Sequence, residues 1–151
     1  MYLVTIVLLM LVFPATFIGV EHFYLHSAAP LILLLGKWFV FWGVGVRLLL
    51  AGLRQLFQPR FTAEEVLGIR GAEALLLVQE LGAANLATGL VGIASVARPG
   101  FVLPVAIIAA VFYGIAGIRH AMADGRTGNQ NVAMVSDLFM SLILAVYIAF
   151  V

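Results

Sequence analysis

The chain has 151 residues, of which 64% are hydrophobic and 10% charged, with a net charge of +1 and no cysteine. Ordinary soluble domains are about half apolar and about a quarter charged, so this composition, with a mean hydropathy of +1.17, excludes one and points to an integral membrane protein. The near-neutral charge speaks against a nucleic-acid partner, and without cysteine there can be no disulfide, thiolate zinc site or iron–sulfur cluster.

A span of about 20 apolar residues crosses a bilayer, and five such spans use most of the chain. They leave one transmembrane domain, residues 1–151, and no separate soluble one. The first predicted span is 2–20. No lysine or arginine precedes it, so it lacks the basic start of a signal peptide and is expected to be retained. Pro14 is expected to kink it. Glu21, His22 and His26 form the first connection. The two imidazoles are four residues apart, the spacing of a ligand pair on one helical face. No third or fourth ligand accompanies them, so they read as interfacial imidazoles rather than a metal site.

The second predicted span, 31–56, is longer than a crossing needs and should tilt. Lys37 can snorkel toward the first connection beside Trp38 and Trp42. Gly43, Arg47 and Ala51 share one helical stripe. The second connection, 58–71, is the longest polar segment. Pro59 stops the helix there. Thr62 and Glu65 have the spacing of a capping box and predict a short helix on the membrane surface. Glu64, Glu65, Arg70 and Glu73 read as a solvated face, not an acid/base cluster.

The third predicted span, 72–96, carries a carboxylate, Glu80, and an amide, Asn85. Glu80, Ala84, Thr88 and Gly92 form one small and polar stripe. Small residues let a second backbone come close in lipid, so this stripe is expected to face protein. Arg98-Pro99-Gly100 is a tight turn. The fourth span, 101–118, has a small stripe of Ala106, Ala110 and Gly114. Arg119 and His120 follow it, where cations suit a helix C-terminus. Residues 124–131 read as a turn-rich, capped loop. Arg126 there, with Arg54 and Arg119, is a candidate contact for a lipid phosphate or a ligand. The fifth span, 132–150, puts Asp137, Ser141, Ala145 and Ala149 on one stripe. The chain has no nucleotide-binding glycine loop, HExxH zinc motif or GxSxG nucleophile elbow, and no catalytic residue is assigned.

Arg54, Arg60, Arg70, Arg119 and Arg126 fall on the side of the N-terminus. Arg98 and, by snorkelling, Lys37 fall on the other. The positive-inside rule then places the N-terminus in the cytoplasm of a bacterial inner membrane.

Counted from that side, Arg47, Glu80 and Asp137 lie about 10, 13 and 9 Å along their helices. A lone charge in hydrocarbon costs several kcal/mol, and pairing relieves it. Arg47 is therefore expected to bridge Glu80 and Asp137, with Asn85 a polar companion. The trio has one negative charge too many. Either Arg54 or Arg119 joins it, or one carboxyl carries a proton. The plainer reading is an ion-pair pin that fixes helix register. The sharper one is a proton or cation site.

The run Arg47-Leu48-Leu49-Leu50-Ala51-Gly52-Leu53-Arg54-Gln55-Leu56-Phe57, a polar connection, and then Glu80-Leu81-Gly82-Ala83-Ala84-Asn85-Leu86-Ala87-Thr88-Gly89-Leu90 is similar to the first two spans of DoxX-like membrane proteins. The resemblance covers spans two to five and leaves span one as an addition. It implies a small four-helix bundle of bacteria or archaea, quinone or thiol redox chemistry, or an accessory role in a larger complex. Without cysteine, thiol chemistry has no residue to use. The stretch from Asn129 to Asp137 also resembles an uncharacterised family of small prokaryotic membrane proteins.

The expectation is an all-α transmembrane bundle of five spans, an extra N-terminal span plus a four-helix bundle. Two functions stay open. One is a non-catalytic scaffold or accessory subunit, touching lipid and other membrane subunits or a second copy. The other is a binder of a quinone or other lipophilic molecule, or a proton or solute carrier. A cavity touching Glu80 or Asp137 would favour the second. A packed centre would favour the first.

Overall fold

In hydrocarbon every backbone donor and acceptor must be satisfied within the protein, so isolated apolar runs of this length fold as helices. The computed structural model describes residues 2–151. The helices are α1 Leu3–Tyr24, α2 Leu31–Phe57, α3 Phe61–Val66, α4 Ala72–Ala94, α5 Pro99–Met122 and α6 Gly128–Phe150. All except the short α3 are long and apolar enough to cross a membrane, and there is no strand among the described residues. The protein is a multi-pass, all-α membrane bundle.

The long helices pack as two pairs, with α1 laid against α2. α4 lies along α2 and α5 along α6, while α4 and α5 meet at few points. The α2–α4 seam is built of glycine: Gly45 and Gly52 face Gly82, Gly89 and Gly92. A Cβ added at Gly89 would stand 2.5 Å from the Leu49 amide nitrogen. Only the missing side chains let the two backbones come this near. This corrects the inward face expected for the third span. The buried face of α4 is Val78, Gly82, Asn85, Gly89 and Gly92. Of the predicted stripe only Gly92 is buried, and Glu80 and Ala84 are exposed. Two stripes of small residues competed, and the one with more glycine allowed the closer approach.

In the other pair the small stripe of α5 faces α6. Gly114 meets the Ser141 side chain, whose hydroxyl donates to the Ala110 carbonyl at 2.9 Å. α6 begins four residues before its predicted start. The Gln130 amide donates to the Thr127 hydroxyl at 3.3 Å, and the Thr127 amide to the Gln130 side chain at 2.8 Å. That is a capping box, lying in a stretch whose turn residues point to a loop. Thr62, by contrast, caps nothing: it is buried inside α3, whose helical turns begin ahead of it.

Wide π-type turns interrupt α1 at Leu8–Val12 and Val20–Tyr24, and α2 at Phe39–Val46. Such turns are often found at functional sites, and the longest ends at Arg47. α1 is fastened to α2 by aromatic pairs, Phe13 with Trp42 at 4.7 Å and Phe17 with Trp38 at 4.6 Å between ring centroids. At the α1–α2 connection Glu21 accepts from Lys37 at 2.8 and 2.9 Å and from the Trp38 indole at 2.7 Å. α1 also sends Ile6 and Met10 into the hydrophobic core, so it is part of the bundle.

Candidate functional site

Arg47 projects from α2 toward α6. Its Nη2 donates to Asp137 Oδ1 at 2.6 Å and to Ser136 Oγ at 3.1 Å. Both partners are nearly buried, with side-chain exposures of 10% and 8%. The guanidinium lies over the Tyr113 ring, 4.6 Å from its centroid. The Tyr113 hydroxyl donates to the Gly43 carbonyl at 3.0 Å, inside the π-type stretch of α2. Three helices thus hold one charge pair: α6 by the carboxylate, α5 by the aromatic face, α2 by the arginine. Arg47 is ten residues before the end of α2 and Asp137 nine after the start of α6, each about 14–15 Å from one face of the bundle. Two ionised groups at that depth are stable only as partners.

Glu80 does not join them. Its neighbour Gln79 faces α2 and donates to the Leu56 carbonyl at 3.1 Å, one residue from the end of α2. Glu80 is therefore level with the end of α2, not with Arg47, and its side chain points outward. The first two turns of α4 stand near the membrane face, so a depth counted from Gly71 overstates its immersion. With Glu80 absent, Arg47 and Asp137 balance each other and the surplus negative charge disappears.

Asn85 is buried, but its partner is Gln55 of α2, whose side-chain oxygen accepts at 2.8 Å. Gln55 lacks a charge and was not singled out in the sequence. Its spacing from Gly52 on the glycine face is the signal that would have found it. Ser136 and Tyr113 were likewise missed, since a serine and a tyrosine among apolar residues stand out only once the arginine is placed.

The remaining candidates separate. Arg126 donates to the Ala121 and Ala123 carbonyls at 2.7 and 3.0 Å and to Asn131 Oδ1 at 3.1 Å. It closes the C-terminus of α5, which leaves it little to offer a ligand. His22 lies in the last turn of α1 and His26 beyond it, in a left-handed conformation with φ 49°. The helix ends between them, so their four-residue spacing does not place them on one face. No group of three or more metal-ligating side chains placed to hold an ion occurs among the described residues. Arg54 lies over the Phe61 ring, 3.5 Å from its centroid, and is exposed like Arg119.

Arg54, Arg119 and the buried pair open onto one cavity of about 680 Å³. It lies among all five long helices and beneath α3. Its walls are apolar in the interior, with Ile6, Leu9, Leu48 and Phe112, and polar toward the α2 and α5 ends, with Gln55, His120 and Gln130. Small-molecule sites typically have such volumes, with mostly apolar walls and a few placed polar groups. Thr62, Val66 and Ile69 of α3 and the segment after it close one side. The arrangement can enclose a molecule with an apolar body and a polar end.

The family model described as "Family of unknown function (DUF6790)" matches residues 1–151, and the chain belongs to that family. No curated protein and no solved structure matches the chain.

Proposed function

We propose that this member of the DUF6790 family binds a lipophilic small molecule with a polar head, of the quinone or lipid class, within its bundle. The observation that carries this is the cavity of about 680 Å³ whose lining includes both Arg47 and Asp137. A scaffold or accessory subunit would need outward contact surfaces and no interior space. The exposed leucines and isoleucines of α4 and α5 are covered equally well by lipid, so they favour neither reading. The resemblance of residues 31–150 to DoxX-like proteins would fit a quinone-type ligand.

The test is mass spectrometry of the whole protein released gently from its own membrane. The wild type should carry a discrete bound lipophile. Ala116→Phe, which puts a ring into the cavity, should lose it while melting within a few degrees of wild type. A protein that emerges bare, at full yield, contradicts the proposal.

We place the protein in a bacterial inner membrane with its N-terminus in the cytoplasm, because the arginine-rich connections lie on that side. Alkaline phosphatase fused after Val151 should then be active, and fused at Arg126 inactive. The reverse pattern would invert the orientation.

A further inference from the structure

The charges around the cavity are unequal. Three arginines, Arg47, Arg54 and Arg119, line it against one carboxylate, Asp137. Arg47 and Asp137 already engage each other. Neither Arg54 nor Arg119 forms an ion pair or donates a hydrogen bond to a described residue. Both stand in the last turns of their helices, three residues from the ends, so two guanidinium groups without a carboxylate partner line the end of the cavity toward which α2 and α5 terminate. Arginine presents a planar fork of donors that matches carboxylate and phosphate oxygens.

A second feature says where the rest of such a molecule goes. Because α4 and α5 barely meet, a cleft of about 170 Å³ separates them, lined by Leu81, Ala84 and Thr88 of α4 and by Ile108, Ala109 and Phe112 of α5. Leu48, Leu81, Asn85 and Phe112 line both cleft and cavity, so the two adjoin. Ala84 and Ile108 are exposed on the outer surface, which lipid covers in a membrane. From Arg119 to Ile108 along α5 is about 16 Å. A chain laid from cavity to cleft would start at the Arg54 and Arg119 guanidinium groups, pass the shared side chains Leu48, Leu81 and Phe112, and leave between α4 and α5.

We propose that the ligand is a single-chain amphiphile with an anionic head, a carboxylate or phosphate, held by Arg54 and Arg119, its chain leaving through the cleft between α4 and α5. This rests on the reading of the cavity as a lipophile site and narrows it to one ligand class. A neutral quinone head would make no ionic contact with either arginine, whereas a carboxylate or phosphate accepts charge-assisted hydrogen bonds from both.

The test uses the full chain in detergent and three probes: a long-chain fatty acid bearing a diazirine, the alcohol of the same chain, and inorganic phosphate. The acid should be retained roughly tenfold or more over the alcohol, the usual order for losing charge-assisted hydrogen bonds, and should label Leu81, Ile108 or Phe112. The pair R54Q/R119Q should reduce retention of the acid by a similar factor and leave that of the alcohol unchanged. Both side chains are exposed, so thermal melting should not change. Ala84→Phe narrows the cleft and should cut labelling at Ile108 with the arginines intact. Equal retention of acid and alcohol, or indifference to R54Q/R119Q, overturns the anionic head while leaving the lipophile site standing. Phosphate that displaces the acid at similar concentration shows a free-anion site and overturns the chain path. Retention of none of the probes, with no lipophile from the native membrane either, overturns both readings.

Discussion

Replacing Arg47 with Met should destabilise the protein by roughly 3–5 kcal/mol, the usual cost of removing one partner of a buried ion pair. The single change leaves the Asp137 carboxylate inside the bundle without its ion-pair partner, beside Ser136 and facing a cavity that Gln130 and His120 also line. Changing both residues, Arg47→Met with Asp137→Leu, removes charge and partner together, and the double variant should recover most of the loss. Glu80→Gln is the control. Glu80 faces outward at the level of the end of α2, so its loss should stay within about 0.5 kcal/mol. Thermal unfolding in detergent reads all three. Equal damage from the single and double changes would show that Arg47 matters for something other than its pairing.

The second large effect concerns the glycine seam. A Cβ at Gly52 would stand 2.6 Å from the Leu86 amide nitrogen, and one at Gly89 2.5 Å from that of Leu49. Backbone atoms cannot swing aside as a side-chain end can, so α2 and α4 must move apart. Gly89→Val should cost about 1–3 kcal/mol or more, and Gly52→Leu with Gly89→Leu should separate the pair. The same displacement breaks the Asn85–Gln55 hydrogen bond and opens the cavity wall, so bound lipophile should fall with stability. Gly100 has nothing within 4 Å of an added Cβ, and Gly100→Ala should leave the melting temperature unchanged. A harmless Gly89→Val would mean that α4 does not dock on its glycine face.

The five spans were legible because apolar length is a property of each segment alone. Their ends were less so. α6 starts at Gly128 because Thr127 and Gln130 cap it, a signal overshadowed by the glycines and asparagines around it. The pairing of Arg47 with Asp137 could be anticipated from depth and charge, since an unpaired ion in hydrocarbon has few alternatives. Glu80 misled for two physical reasons. Depth along a helix equals depth in the membrane only if the helix starts at the membrane face, and α4 starts beyond it. A small stripe also shows that a helix can pack closely, not which of two stripes does. The cavity was not legible, because an empty volume depends on how far apart α4 and α5 sit. No local pattern encodes that gap. Arg54 and Arg119 were candidates by charge, yet only the fold brings them to one mouth.

If the space beside Arg47 and Asp137 is a ligand site, a density map of the protein in discs of its own membrane lipid should show elongated density in the cavity, its head within hydrogen-bonding distance of Arg119 or Arg54 and its tail between α4 and α5. Side chains collapsed across the cavity, with Phe112 and Leu48 filling it and no density between α4 and α5, would contradict a ligand site there.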